Sequence, residues 1–168
     1  ESVISTDDRR NPLKHLTNTY GDEYPAKALK VLYEYSQRGE RGCAELLLKR
    51  FKDETLYNHD TKEWLKYDNG VWVKDSISNI TWRSQKFLLE VFPEVARLAE
   101  GQEFRLKQLA RDDSDNEQEL KREASRYKKF AQSFDKTKKA ITYKKTSDQI
   151  QALLATEEDI GTATTDFD

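Results

Sequence analysis

The residues describe a mainly α chain, a helical bundle with a small antiparallel β-hairpin or three-stranded sheet inserted near residues 55–75. Three features point there. Apolar side chains recur at helical spacing over most of the length. Asp68-Asn69-Gly70 separates two β-type segments, Glu63-Trp64-Leu65-Lys66-Tyr67 and Val71-Trp72-Val73-Lys74, and Asn-Gly tolerates the positive φ of a tight hairpin. The 168 residues are only 36% hydrophobic, yet Trp 3, Tyr 8 and Phe 7 are enough aromatics to build a core, which a disordered chain lacks.

Residues 1–20 are polar, and Asp7-Asp8-Arg9-Arg10-Asn11-Pro12 reads as a loop. A helix is expected from Pro25 to Ser36, with Pro25 at its first position and Leu29, Leu32 and Tyr33 on one face. Arg38-Gly39-Glu40-Arg41-Gly42 is a break. Cys43, Leu47 and Phe51 then line up at i, i+4, i+8 on a second helix reaching Lys52. Thr55-Leu56-Tyr57-Asn58 is a short strand. A lone hairpin is marginal in water, so this one must pack on the helices through Trp64 or Trp72.

From Ile80 the helical period returns through Trp82, Phe87, Leu88 and Val91, and Pro93 either starts a new helix or kinks the old one. Val95, Leu98, Phe104, Leu106 and Leu109 carry the pattern to Arg111. The acidic run Asp112–Glu117 suits a helix start. The helix after it has the clearest stripe: Leu120, Ala124, Tyr127, Ala131 and Phe134. After a Lys-rich connection, Thr146-Ser147-Asp148-Gln149 fits a capping box opening a helix with Ile150, Leu153 and Leu154. Residues 1–39 thus form a linker and preceding helix, 40–155 a helical domain with a hairpin, and 156–168 an acidic linker.

Several chemistries lack their residues. Cys43 is the only cysteine, so no internal disulfide forms. His15 and His59 are far apart and Cys43 has no CxxC partner, so no metal site is expected. No apolar run approaches the roughly 18 residues of a membrane span, and no signal peptide is expected. A GxxxxGK[ST] phosphate loop, GxGxxG and GxSxG are all absent, so neither catalytic residues nor a cofactor are assigned. Asp112/Asp113 and Glu157/Glu158 could bind Mg²⁺, but in polar junctions carboxylates cap helices or stay solvated. Cys43, on an apolar helix face, reads as a buried structural thiol. The chain starts at Glu1 without any methionine, which suggests a segment of a longer protein.

Charge is segregated. The net charge is −2, but Lys121–Ser147 holds ten basic residues (Lys121, Arg122, Arg126, Lys128, Lys129, Lys136, Lys138, Lys139, Lys144, Lys145) against Glu123 and Asp135. That stretch carries +8 and the remainder −10. Such a segment can neutralise phosphates and release counterions, so these ten are the candidate nucleic-acid residues. Tyr127, Phe134 or Tyr143 could stack on bases if exposed. Tyr127 and Phe134, however, lie on the apolar stripe, which assigns them to the core, and a Lys-rich face can be merely solvated. Lys49, Arg50 and Lys52 form a smaller basic flank.

The order of these pieces resembles the helical domain preceding the superfamily 3 helicase in phage/plasmid-type and poxvirus-type primase–helicases. The matching residues are Gly42-Cys43-Ala44-Glu45-Leu46-Leu47, Leu56-Tyr57, and Trp64 to Trp72 across the Asn69-Gly70 turn. Phe130-Ala131-Gln132-Ser133, taken as a turn, and Ile150-Gln151-Ala152-Leu153-Leu154 follow. Asp166-Phe167-Asp168 looks like the junction into a motor domain. The hairpin turn has one residue more than the tightest family pattern, and the phosphate loop is missing. The resemblance implies a non-catalytic accessory domain that assists single-stranded template handling and helicase assembly. Its partners would be single-stranded DNA, the motor and primase domains of the same polypeptide, and other copies through the parent protein. The parent would be an ATP-dependent helicase inside a host cell, with no membrane contact. The alternatives are a protein-interaction or oligomerisation module without nucleic-acid contact and, last, a small enzyme.

Overall fold

The computed structural model describes residues 20–157 and 160–162. The Asp7–Pro12 loop, Glu158 and the Asp166-Phe167-Asp168 junction lie outside the described residues. Five α-helices and four strands occur among those described: α1 (Ala26–Gln37), α2 (Gly39–Phe51), β1 (Thr55–Asn58), β2 (Glu63–Asp68), β3 (Val71–Asp75), α3 (Ile77–Asp112), α4 (Glu117–Ile141), α5 (Lys144–Ala155) and β4 (Gly161–Thr162). The chain is therefore mainly α with a small inserted sheet. It divides into two compact units. Among the described residues one holds 20–37 and 89–139, the other 38–88 and 140–162.

In the first unit, α1 buries Ala28, Leu29, Leu32 and Tyr35. Pro25 stands just before the helix, and its carbonyl accepts the Leu29 N–H at 2.9 Å. It therefore acts from the cap rather than from the first helical position. The distal part of α3 buries Val91, Phe92, Val95, Ala96, Ala99, Leu106 and Ala110. Pro93 neither ends nor restarts the helix, which runs through it for 36 residues. Proline removes one i→i−4 bond, and the apolar face around it outweighs that cost. On α4, Phe134 is wholly buried and its ring lies 6.2 Å from Phe92. Tyr33 stacks on Phe130 at 4.4 Å.

In the second unit, the break before α2 shrinks to Arg38, and Gly39 (φ +59) starts the helix. Gly42, Cys43, Ala44, Leu46, Leu47 and Phe51 are buried, and α2 packs on α5. The hairpin forms where Asn69-Gly70 predicts it. Both residues have positive φ (49 and 87), as a tight primed turn requires, with Tyr67 opposite Trp72 and Asp68 opposite Val71. Trp64, 5% exposed, anchors the sheet and Trp72 is half-buried. The β1–β2 connection is closed by Asn58, whose Oδ1 accepts the Asp60 N–H at 2.9 Å and the Thr61 N–H at 3.3 Å.

Two sequence expectations are corrected here. The sheet is mixed, not purely antiparallel: its order is β3-β2-β1-β4, and β4, in the stretch read as a linker, pairs parallel with Tyr57 and Asn58. The Tyr57 N–H donates to the Ile160 carbonyl at 2.7 Å, and the His59 N–H to that of Thr162 at 2.8 Å. Two residues are too short to show a strand period. The capping box also fails, because α5 begins at Lys144 and its N-cap, Tyr143, makes no side-chain cap. Thr146 and Ser147 lie inside the first turns, with Ser147 buried.

Glycine is needed at 161 for space. An added Cβ would stand 2.6 Å from His59 Nε2 and 2.7 Å from the Ala155 carbonyl, which cannot retreat as a side chain can. Gly101, inside α3, has nothing within 4 Å of that position. Gly161→Ala is expected to lower stability by about 1–3 kcal/mol. Gly101→Ala should raise it by about 0.5–1 kcal/mol through the helix-propensity difference. Urea midpoints of the two variants check both signs.

Candidate nucleic-acid interface

Helix α4 owes its position to its apolar side. Ala124, Tyr127, Phe130, Ala131, Phe134 and Thr137 are buried, and Leu120 is half-buried. Phe130 therefore belongs to the stripe, although it falls between the positions that spacing alone selects. The Phe130-Ala131-Gln132-Ser133 motif is mid-helix, not a turn. Its serine is a clasp to α1: Ser133 Oγ lies 2.6 Å from Ser36 Oγ and accepts from Gln37 Nε2 at 2.8 Å.

At about 100° per residue, Lys121, Arg122, Lys128, Lys129, Lys136 and Lys139 fall on the side opposite that stripe. Arg126 lies on a flank, and Lys138 falls in line with Leu120 on the stripe side, past the last buried ring, Phe134. All eight are exposed. Lys121 Nζ reaches Glu117 Oε1 at 2.6 Å, and the Arg126 guanidinium sits 5.3 Å from the Phe130 ring centre. Arg122, Lys128, Lys129, Lys136 and Lys138 have no ion pair among the described residues. One helix thus gathers eight of the ten predicted cations on a solvent-facing surface. Lys144 and Lys145 belong to the second unit, at the start of α5, and Lys144 Nζ pairs with Asp148 Oδ2 at 2.9 Å.

The aromatics divide as the apolar stripe of α4 predicts. Tyr127 (5% exposed) and Phe134 (0%) are core, so neither can stack on a base. Burial, with Glu123 nearby, pushes the Tyr127 hydroxyl above its usual range. Tyr143 is 67% exposed. Trp82, expected among the apolar contacts, is instead exposed beside Lys86. Only its packing partners could have told it from Phe87. On the smaller basic flank, Arg50 is used structurally. It bonds Glu54 at 3.2 Å and covers the Phe51 ring at 4.8 Å.

The acidic junction before α4 acts as a cap. Asp113 Oδ1 accepts the Asn116 N–H at 3.3 Å and Oδ2 the Asn116 side-chain amide at 2.8 Å, which holds its carboxyl below the usual range. Among the described residues no group of three or more His, Cys, Asp or Glu could hold a metal ion, and no helix is long and apolar enough to cross a membrane. Cys43 is buried in α2, and burial, with Glu40 nearby, pushes its thiol up to about 12. At neutral pH it is a thiol and no nucleophile.

A family model described as "D5 N terminal like" matches residues 44–162, well over half of the chain. No curated protein and no solved structure matches it.

The raised Cys43 pKa sets a pH dependence. The folded state favours the neutral thiol, so its contribution is complete below the unfolded value of about 8.5 and is lost as pH rises towards the folded value. Between pH 7 and pH 10 the unfolding free energy should fall by roughly 2 kcal/mol more in the wild type than in Cys43→Ala. Urea titrations at both pH values measure the difference.

Proposed function

The chain belongs to the D5 N terminal like family, the N-terminal domain of D5-like primase–helicase proteins of DNA replication, and on that premise we propose that it is a non-catalytic accessory domain guiding single-stranded template and assisting helicase assembly. The observation that carries the DNA part is α4, which keeps its aromatics inside and sets eight cations outside. Lysines and arginines on one helix face can track a phosphate backbone without reading bases, which suits template that changes sequence continually. The role needs no cofactor. The parent protein would supply ATP hydrolysis and, in some forms, primase activity, within the cell where replication occurs.

A second reading has its own support. Strand register places Leu56, Leu65, Tyr67 and Trp72 on one face of the sheet, and all four are half-exposed or exposed. Such a face suits a protein neighbour more than phosphate.

Fluorescence anisotropy of labelled single-stranded DNA at two salt concentrations tests the first reading. Binding is expected to weaken with salt, by about 0.7 log units per tenfold salt for each phosphate contacted. Changing Lys128, Lys129, Lys138 and Lys139 to Glu should abolish it or flatten that slope by roughly three. Salt-insensitive or absent binding, with a mass that rises with concentration, would leave the protein-interaction reading.

A further inference from the structure

Two aromatic side chains of the second unit stand in water beside cations. Trp82 on α3 is 58% exposed, and Tyr143, at the start of α5, is 67% exposed. Leaving side chains of this size in solvent forgoes burial that every other tryptophan of the chain takes at least in part.

The two belong to neighbouring parts of the unit. Gln85, one turn along α3 from Trp82, donates from Nε2 to the Ile141 carbonyl at 3.3 Å, two residues before Tyr143. Thr81 Oγ1 meets Gln151 Oε1 at 3.2 Å. These bonds pin the first turns of α3 alongside α5 and its connection. Lys86 Nζ lies 4.9 Å from the Trp82 ring centre. Lys144 and Lys145 directly follow Tyr143 and are exposed. The carboxylates on these stretches are Glu90, one turn past Lys86, and Asp148. The Lys144–Asp148 pair is an exposed i,i+4 bridge, 90% and 53% open to water, so it yields readily to a phosphate.

We propose that Trp82 and Tyr143 form a base-stacking platform for single-stranded DNA, with Lys86, Lys144 and Lys145 on the adjoining phosphates. It rests on the single-stranded DNA reading above and adds a contact of different physics. The α4 surface has cations but no exposed aromatic ring, so it can hold only the backbone. The platform holds bases through their π-faces, which is tolerant of sequence. A double helix hides those faces, so the platform also supplies a preference for unpaired DNA.

The test compares labelled oligo-dT with an abasic strand of equal length, which keeps the phosphates and lacks the bases. The chain is assayed as wild type, as Trp82→Ala/Tyr143→Ala and as Trp82→Phe/Tyr143→Phe. The wild type should bind oligo-dT more tightly than the abasic strand. The alanine pair should lose roughly five- to a hundredfold on oligo-dT and little on the abasic strand, and the phenylalanine pair should keep most of the affinity. Oligo-dT should also quench tryptophan emission less in Trp82→Phe than in the wild type, a readout independent of any change in fold. Unchanged oligo-dT affinity in the alanine pair, or equal losses on both strands, would overturn the platform and leave the α4 reading standing. A wild type that binds neither strand would overturn both. A concentration-dependent dimer dissolved by Trp82→Ala, with DNA affinity unchanged, would make this face a self-association surface instead.

Discussion

The Asp75 carboxylate is where the sheet is joined to the helix that follows it. It is the last residue of β3 and is 7% exposed. A buried carboxylate must be satisfied on both oxygens or it is severely penalised. Oδ1 accepts the Ser76 N–H at 2.9 Å and the Asn79 side-chain amide at 2.7 Å, and Oδ2 takes the Arg83 guanidinium at 2.8 Å. These partners fix where the strand ends and the helix begins. Ser76 Oγ caps the Asn79 N–H at 3.0 Å, so a first-turn donor of α3 is satisfied by the residue next to Asp75. Arg83 lies 5.5 Å from the Phe51 ring centre, and Phe51 meets Phe87 edge-on at 6.0 Å. Strand, helix α3 and helix α2 thus share one polar knot with an apolar rim. The same junction sets the rotation of α3, and with it the outward position of Trp82.

A comparable division of labour runs along α4. Its buried side is aromatic and its outward side cationic, and the two demands compete little because most of the cations lie away from the stripe. Long lysine side chains tolerate full solvation, so the cationic surface costs the fold little. The serine clasp to α1 explains why the Phe-Ala-x-Ser motif is a packing device, with the phenylalanine stacked on Tyr33 and the serine bonded to Ser36 and Gln37. Nothing in it faces solvent in a way that chemistry would need.

Period and turn chemistry made most of this legible in advance. The i, i+4 spacing of Cys43, Leu47 and Phe51 located α2, Asn69-Gly70 located the hairpin, and the Leu120–Phe134 stripe located α4. Each is a local constraint, set by residues within a few positions of one another. The errors lie where distant partners decide. Of the two readings of Pro93, a new helix or a kink in the old one, the first fails, because burial on both sides carries the helix through. Thr146-Ser147-Asp148-Gln149 has the composition of a cap, yet α5 starts earlier and buries Ser147. Gly161-Thr162 reads as part of a linker, yet it completes the sheet through the free edge of β1.

The charge segregation, the mainly α character and the identity of the cations were settled by the sequence, because each depends on residue type and spacing alone. Tertiary structure alone decided that Trp82 is left in water. The stripe already assigned Tyr127 and Phe134 to the core, but Trp82 reads as an apolar contact like Phe87. Exposure is a property of what packs against a side chain, and those neighbours come from elsewhere in the chain. Tyr127 and Phe134 turn inward with the stripe of α4, while Trp82 and Tyr143 find no such cover.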